Sequence, residues 1–200
     1  MTITSIDPST GETLARLEPT SATQLDAAIE EAFVAYVRWR SVPAPARAAL
    51  VRALGERVRA EADRLAELVT REVGKIPTEA RGEVQEVIDI CEFAAGLGRT
   101  LPGSLFPSER PDHRLFEQWH PLGPIAVITA FNFPMAVWAW NAALAVVCGD
   151  AVVWKPSPLA PLCALELHRI AREVADAHGV PGLFQLVLGG RELGQALADD

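Results

Sequence analysis

One stretch constrains this sequence more than any other: the apolar run from Ile125 to Trp154. Pro134 divides it, Asn141 interrupts it, and Gly149-Asp150 closes its longest piece. That piece, Met135 to Cys148, is roughly two-thirds of the ~20 residues a membrane span requires, so it predicts a buried helix and no membrane partner. On either side, Ile125-Ala126-Val127-Ile128 and Ala151-Val152-Val153-Trp154 read as short buried strands. An amphipathic helix over Pro161 to His178 and a third strand over Phe184 to Leu188 continue the pattern. Strand, helix, strand, helix, strand predicts an α/β fold with a parallel, Rossmann-like βαβαβ sheet and right-handed crossovers. A last helix, Glu192 to Asp200, follows the third strand. Three strands leave at least one bare edge, so the chain is expected to be a piece of a longer protein.

The first half reads differently. Asp7-Pro8-Ser9-Thr10-Gly11-Glu12 is a turn, and strands near Ile3–Ile6 and Thr13–Leu17 would make it a hairpin. Ala28, Ile29, Ala32, Phe33, Tyr36 and Val37 repeat on one helical face. Pro43 and Pro45 end that helix and start another marked by Leu50, Leu54 and Val58. Leu65, Leu68, Val69 and Val73 mark a third, with Gly74 as its C-terminal cap. A fourth runs from about Thr78 to Leu97. From Val87 to Ala94 it is apolar on more than one face, which predicts a helix enclosed by protein. Pro102, Gly103, Pro107 and Pro111 mark an irregular linker, and Arg114 to Trp119 a strand.

Composition excludes several functions. The chain has 200 residues, with 18 Lys and Arg against 26 Asp and Glu, a net charge of −8, which argues against a nucleic-acid partner. Half the residues are hydrophobic, too many for a disordered chain. Three cysteines make neither a disulfide framework nor a zinc site, and the four histidines have no ligand spacing, so no metal is expected. The N-terminus lacks a secretory signal, so the cytoplasm is the expected compartment.

Open parallel sheets bind ligands at the carboxyl ends of their strands. Here those ends carry Thr129-Ala130-Phe131-Asn132-Phe133-Pro134, then Lys155-Pro156-Ser157-Pro158, then Gly189-Gly190. The Asn132 carboxamide is an uncharged double donor that suits a developing oxyanion; simple turn chemistry before Phe-Pro is the other reading. Lys155 either projects into the crevice toward a ribose or phosphate or snorkels. Gly189-Gly190 allows close approach of a ligand or forms a helix-capping turn. Cys91, Cys148 and Cys163 lie in apolar helical surroundings that make thiols inert.

From Pro121-Leu122-Gly123-Pro124 through Trp154-Lys155-Pro156-Ser157 the chain resembles the aldehyde dehydrogenase superfamily. The resemblance rests on Pro-x-Gly before the first strand, Thr-Ala-Phe-Asn-Phe-Pro after it, and Ala-Leu-Ala leading to Gly-Asp before the second. Asp-Pro-Ser-Thr-Gly-Glu and Glu72-Val73-Gly74-Lys75 extend it to all 200 residues, which correspond to the first ~40% of a family chain of typical length. Within the superfamily it is most similar to the antiquitin branch, the α-aminoadipic semialdehyde (piperideine-6-carboxylate) dehydrogenases. Gly82-Glu83-Val84-Gln85-Glu86, Pro107-Ser108-Glu109-Arg110 and Glu117-Gln118-Trp119 carry that likeness.

The resemblance implies oxidation of an aldehyde with NAD, NADP being the alternative. A cysteine thiolate attacks the aldehyde, hydride passes to the cofactor, and a glutamate-activated water hydrolyses the thioester. It assigns Asn132 to the oxyanion site. Thr129, Ala130, Phe131, Lys155, Ser157, Pro158, Gly189 and Gly190 go to the cofactor. Counting back from Asn132 places the branch's substrate-amine glutamate at Glu86, which shares a helical face with Ile90 and Phe93; a solvated glutamate at a helix start is its other reading. Phe133 and Trp140, two turns apart, become aromatic walls of the aldehyde pocket, with core packing as their other reading. Residues 1–110 become the hairpin and helical part of the cofactor-binding domain. Residues 111–121 become a linker and an oligomerisation-arm strand, and 122–200 a truncated cofactor-binding core. The family's nucleophilic cysteine and general-base glutamate fall beyond Asp200, so the chain alone is expected to be inactive and prone to aggregate. A homotetramer in lysine catabolism is the expected setting. A different aldehyde, or a non-catalytic chain that binds nucleotide or pairs with another subunit, are the competing readings.

Overall fold

A computed structural model describes residues 2–200. The N-terminal hairpin pairs β1 (Ile3–Ile6) with β2 (Thr13–Leu17), and Asp7 takes two hydrogen bonds from Ser9 in the turn. Four helices follow: α1 (Ala22–Trp39), α2 (Ala44–Ala60), α3 (Ala62–Val73) and α4 (Pro77–Leu97). Ser21 and Gln24 form a capping box at the start of α1. Gly74 closes α3 at φ 81°, its N–H bonded to the carbonyl of Thr70, as a helix end with a left-handed residue requires.

The second half contains the sheet. Strands β5 (Pro124–Ile128), β6 (Ala151–Lys155) and β7 (Phe184–Leu186) are parallel, in the order β5-β6-β7. Helix α5 (Ala136–Cys148) links the first two, and α6 (Pro161–Ala177) the second and third. All five residues of the central strand β6 are buried, which explains its unbroken apolar run. Helix α1 packs across all three strands, while α2, α3 and α4 pack on α5 and α6. Trp138 stacks on Trp154, their ring centroids 4.9 Å apart, at the centre of the core. Helix α7 (Arg191–Asp199) ends the chain. Among the described residues no helix is long and apolar enough to cross a membrane.

Three local expectations fail. The linker contains a strand, β3 (Leu105–Pro107), which pairs with β4 (Arg114–Phe116) in an exposed hairpin. A three-residue strand holding a proline has no local signature and exists through its partner. Pairing stops at Phe116 and at Leu186, short of the expected Trp119 and Leu188. Helix α4 is not enclosed. Its buried stripe is Ala80, Glu83, Val84, Val87, Ile88, Cys91 and Ala94, a single 3.6-residue face, and Phe93 is 60% exposed beside it.

Gly149 shows how tightly the two halves meet. It ends α5 at φ 109°, and a Cβ there would lie 2.5 Å from Arg47 Nη1 and 2.8 Å from Pro121 Cγ. Arg47 is itself buried, so it has little room to yield. Gly149→Ala is expected to cost about 3 kcal/mol, from backbone strain and overpacking together. A urea midpoint shift corresponding to less than about 1 kcal/mol would contradict this account.

Candidate functional site

The carboxyl ends of β5 and β6 are held side by side. Ile128 is in register with Lys155, and the Thr129 N–H donates to the Lys155 carbonyl at 3.1 Å. The Val187 N–H donates to the Trp154 carbonyl at 2.8 Å and brings the end of β7 alongside. Leu188 and Thr20 exchange hydrogen bonds, which ties that end to the start of α1. An open cleft of about 850 Å³ lies past the end of β7, between the N-terminal hairpin, the start of α1 and the start of α7; Thr2, Thr20, Pro158, Gly189, Gly190 and Leu193 line it, and neither Asn132 nor Lys155 does.

Asn132 lies in the bend between β5 and α5 and is exposed. Ala130 and Phe131 are exposed beside it. Thr129 points inward: it is buried, its hydroxyl accepts from Trp154 Nε1 at 2.9 Å, and with its N–H on the Lys155 carbonyl only its own backbone carbonyl is left to face a ligand. Lys155 is buried, and Nζ donates to the Pro156 carbonyl at 3.0 Å. No ion pair forms at Lys155 among the described residues, and burial holds its pKa below the ordinary lysine value. A Cβ on Gly194 would sit 3.2 Å from Lys155 Cδ and Cε, so α7 lies directly over the lysine stem.

Ser157 accepts from the Leu159 N–H at 3.2 Å, which is turn chemistry. Gly189 is buried, and a Cβ there would meet Leu193 at 2.5 Å, so its lack of a side chain lets α7 pack. Gly190 caps α7 with no side-chain hydrogen bond, so the first N–H groups of that helix stay open. An ammonium with no acid partner beside an uncapped helix N-terminus suits an oxygen-rich anionic ligand. These residues fit a dinucleotide.

On the substrate side, Phe133 and Trp140 come together, ring centroids 6.2 Å apart. Glu86 is half-buried on α4, and no hydrogen bond or ion pair forms at it among the described residues. The same residues contain no cluster of three acidic, histidine or cysteine side chains able to hold a metal.

The sequence pattern of the aldehyde dehydrogenase family matches residues 1–200. This chain belongs to that family. The aldehyde dehydrogenase family 7 member A1 homolog of Caenorhabditis elegans is 47% identical over 99% of this chain and 38% of its own length. The α-aminoadipic semialdehyde dehydrogenase of Bos taurus is 42% identical, over 99% and 37%. The crystal structure of methylmalonate-semialdehyde dehydrogenase from Oceanimonas doudoroffii superposes with a TM-score of 0.93 at 32% identity, over the whole chain and 40% of that protein. The chain thus spans less than two-fifths of the length of these two curated relatives.

In this aldehyde dehydrogenase chain the three cysteines are unpaired and poorly placed for attack. Burial pushes the Cys91 thiol up to about 12 and raises Cys148 and Cys163 as well. Sequence reasoning missed two buried carboxylates. Glu72 accepts from Ser5 Oγ at 2.6 Å and from the N–H groups of Leu162 and Cys163, at 2.8 and 2.6 Å, at the start of α6. Glu83 accepts from the N–H groups of Met135 and Ala136, at 2.8 and 3.2 Å, at the start of α5, and pairs with Lys75 Nζ at 2.6 Å. Each carboxylate occupies an apolar position of an amphipathic helix, Glu72 three after Val69 and Glu83 four before Val87. That misplacement in the pattern was the available signal.

Proposed function

We propose that this chain supplies the oxyanion donor, part of the cofactor groove and part of the substrate wall of an NAD-dependent aldehyde dehydrogenase. Its substrate is α-aminoadipic semialdehyde, oxidised to α-aminoadipate in lysine catabolism. The carrying observation is that two neighbouring strand ends bear these groups: β5, in register with Lys155 at Ile128, runs into the bend that exposes Asn132, and β6 ends on the buried, acid-free Lys155. The carboxamide donates to the aldehyde oxygen as charge develops there, which stabilises the tetrahedral intermediate more than the substrate. Lys155 and the open N-terminus of α7 hold the ribose and phosphates; Ala130 and Phe131 line the groove with the Thr129 backbone. The bound dinucleotide supplies the hydride acceptor. NAD is favoured over NADP by the branch resemblance.

No cysteine in the chain is suited to attack, so the nucleophile comes from the rest of the enzyme, and the 200 residues alone are inactive. The unpaired thiols fit a reducing compartment such as the cytoplasm. Leu105, Phe106, Leu115 and Phe116 are each more than half exposed on the β3–β4 hairpin, which suits pairing with a second copy in a tetramer.

Glu86 carries the choice of substrate: a half-buried carboxylate beside apolar Ile90 and Phe93 is placed for an ammonium. In the complete enzyme, Glu86→Gln is expected to lower kcat/KM for α-aminoadipic semialdehyde by about tenfold or more, the worth of a charge-assisted hydrogen bond. Turnover of a simple aliphatic aldehyde should not change. Equal effects on both substrates would remove the lysine-pathway assignment and favour another aldehyde.

A further inference from the structure

The bend that carries Asn132 is anchored by groups from another part of the chain. It ends at Pro134, which has no N–H to donate. The next two N–H groups, of Met135 and Ala136, are both held by Glu83 Oε1. Glu83 Oε2 is occupied by Lys75 Nζ, and the Glu83 side chain is wholly buried. The same ammonium lies 3.8 Å from the centroid of the Phe133 ring, the residue directly after Asn132. Phe133 in turn rests on Trp140. One ion pair, with its carboxylate fully buried and its ammonium partly so, therefore fixes the bend at two points, the Phe133 ring and the Met135-Ala136 backbone, with a single proline between them.

We infer that Lys75 and Glu83 form a positioning pair that fixes the Asn132 carboxamide in its oxyanion-stabilising geometry, although neither residue lies in the bend that bears it. The inference rests on the role of Asn132 proposed above. Without the ammonium, Glu83 becomes an unpaired buried charge and Phe133 loses the contact on its face. The bend then has more conformers, and a donor misplaced by a fraction of an ångström loses much of its transition-state contribution.

The test is a double-mutant cycle in the complete enzyme, read as kcat for aldehyde oxidation at saturating NAD. Lys75→Met is expected to lower kcat about tenfold and Asn132→Ala about a hundredfold or more. KM for NAD should stay within about twofold in Lys75→Met, and Lys75→Arg, which keeps the cation, should recover most of the activity. The deciding measurement is the double variant. If Lys75 acts through the carboxamide, Lys75→Met costs nothing further once Asn132 is alanine. Losses that multiply in the double variant, or an unchanged kcat in Lys75→Met, overturn the positioning pair while leaving the role of Asn132 intact. An unchanged kcat in Asn132→Ala overturns both. If Lys75→Met does not yield soluble enzyme, Lys75→Gln, which still donates to Glu83 but places no charge over Phe133, runs the same cycle with the same expectations.

Discussion

Glu72→Ala is expected to destabilise the protein by about 3 kcal/mol, although Glu72 forms no hydrogen bond to a residue of the proposed site. Helix α6 begins with Ala160 as its N-cap and Pro161 behind it, and neither offers a side-chain oxygen to the open N–H groups. Glu72 supplies both oxygens from α3, to Leu162 and Cys163, and also receives the Ser5 hydroxyl of the N-terminal hairpin. Three donors lose their acceptor at once in the alanine variant, two of them at the positive end of a 17-residue helix. Glu72→Gln keeps one acceptor oxygen but turns an amide N–H toward a backbone donor, so its loss should be intermediate. Urea unfolding checks the size of the effect, and faster hydrogen exchange at Leu162 and Cys163 checks its location. A loss below about 0.5 kcal/mol in Glu72→Ala would mean that water replaces the carboxylate at no cost.

Glu72 also marks the boundary of what the sequence discloses. The strand–helix–strand pattern from Ile125 to Leu186 is legible because each element is decided locally. Continuous apolar runs become strands, though only β6 is buried along its whole length and β5, at the sheet edge, buries Val127 alone; Gly74 and Gly149 stop helices in left-handed conformations, and Pro161 starts one. Asn132 and Lys155 are legible for a related reason, since parallel sheets place strand ends together wherever the crossovers fall. The two capping carboxylates are not local. Glu72 meets its partners 90 and 91 residues downstream and Glu83 52 and 53, through the packing of α3 and α4 on the sheet helices. The apolar spacing that marks Glu83, four before Val87, marks Glu86 equally, four before Ile90, yet one is buried and bonded and the other half-exposed. The exposure of Phe93 has the same origin: composition gives α4 an apolar face wider than its neighbours cover.

Lys155→Met should move stability and ligand affinity in opposite directions. Nζ has one backbone carbonyl as its partner, and the stem is enclosed beneath Gly194. A buried ammonium without a carboxylate is a standing cost to the fold, accepted where a ligand completes its coordination. Methionine fills nearly the same volume without the charge, so stability at neutral pH is expected to stay level or rise by about 1 kcal/mol. Affinity of the complete enzyme for NAD should fall roughly thirtyfold, equivalent to the loss of one charge-assisted hydrogen bond of about 2 kcal/mol. The pH dependence follows from the lowered pKa. Between that lowered value and the ordinary lysine value near 10.5, the unfolded chain binds the proton and the folded one does not. Stability of the wild type therefore rises with pH across that window, relative to Lys155→Met, and the stability advantage of the variant disappears. NAD binding by the wild type weakens over the same interval as the ammonium discharges. Urea titrations at pH 7 and pH 10, paired with equilibrium NAD titrations, measure both effects. Unchanged NAD affinity in Lys155→Met would make the lysine a packing residue and leave the groove between β6 and α7 without its cation.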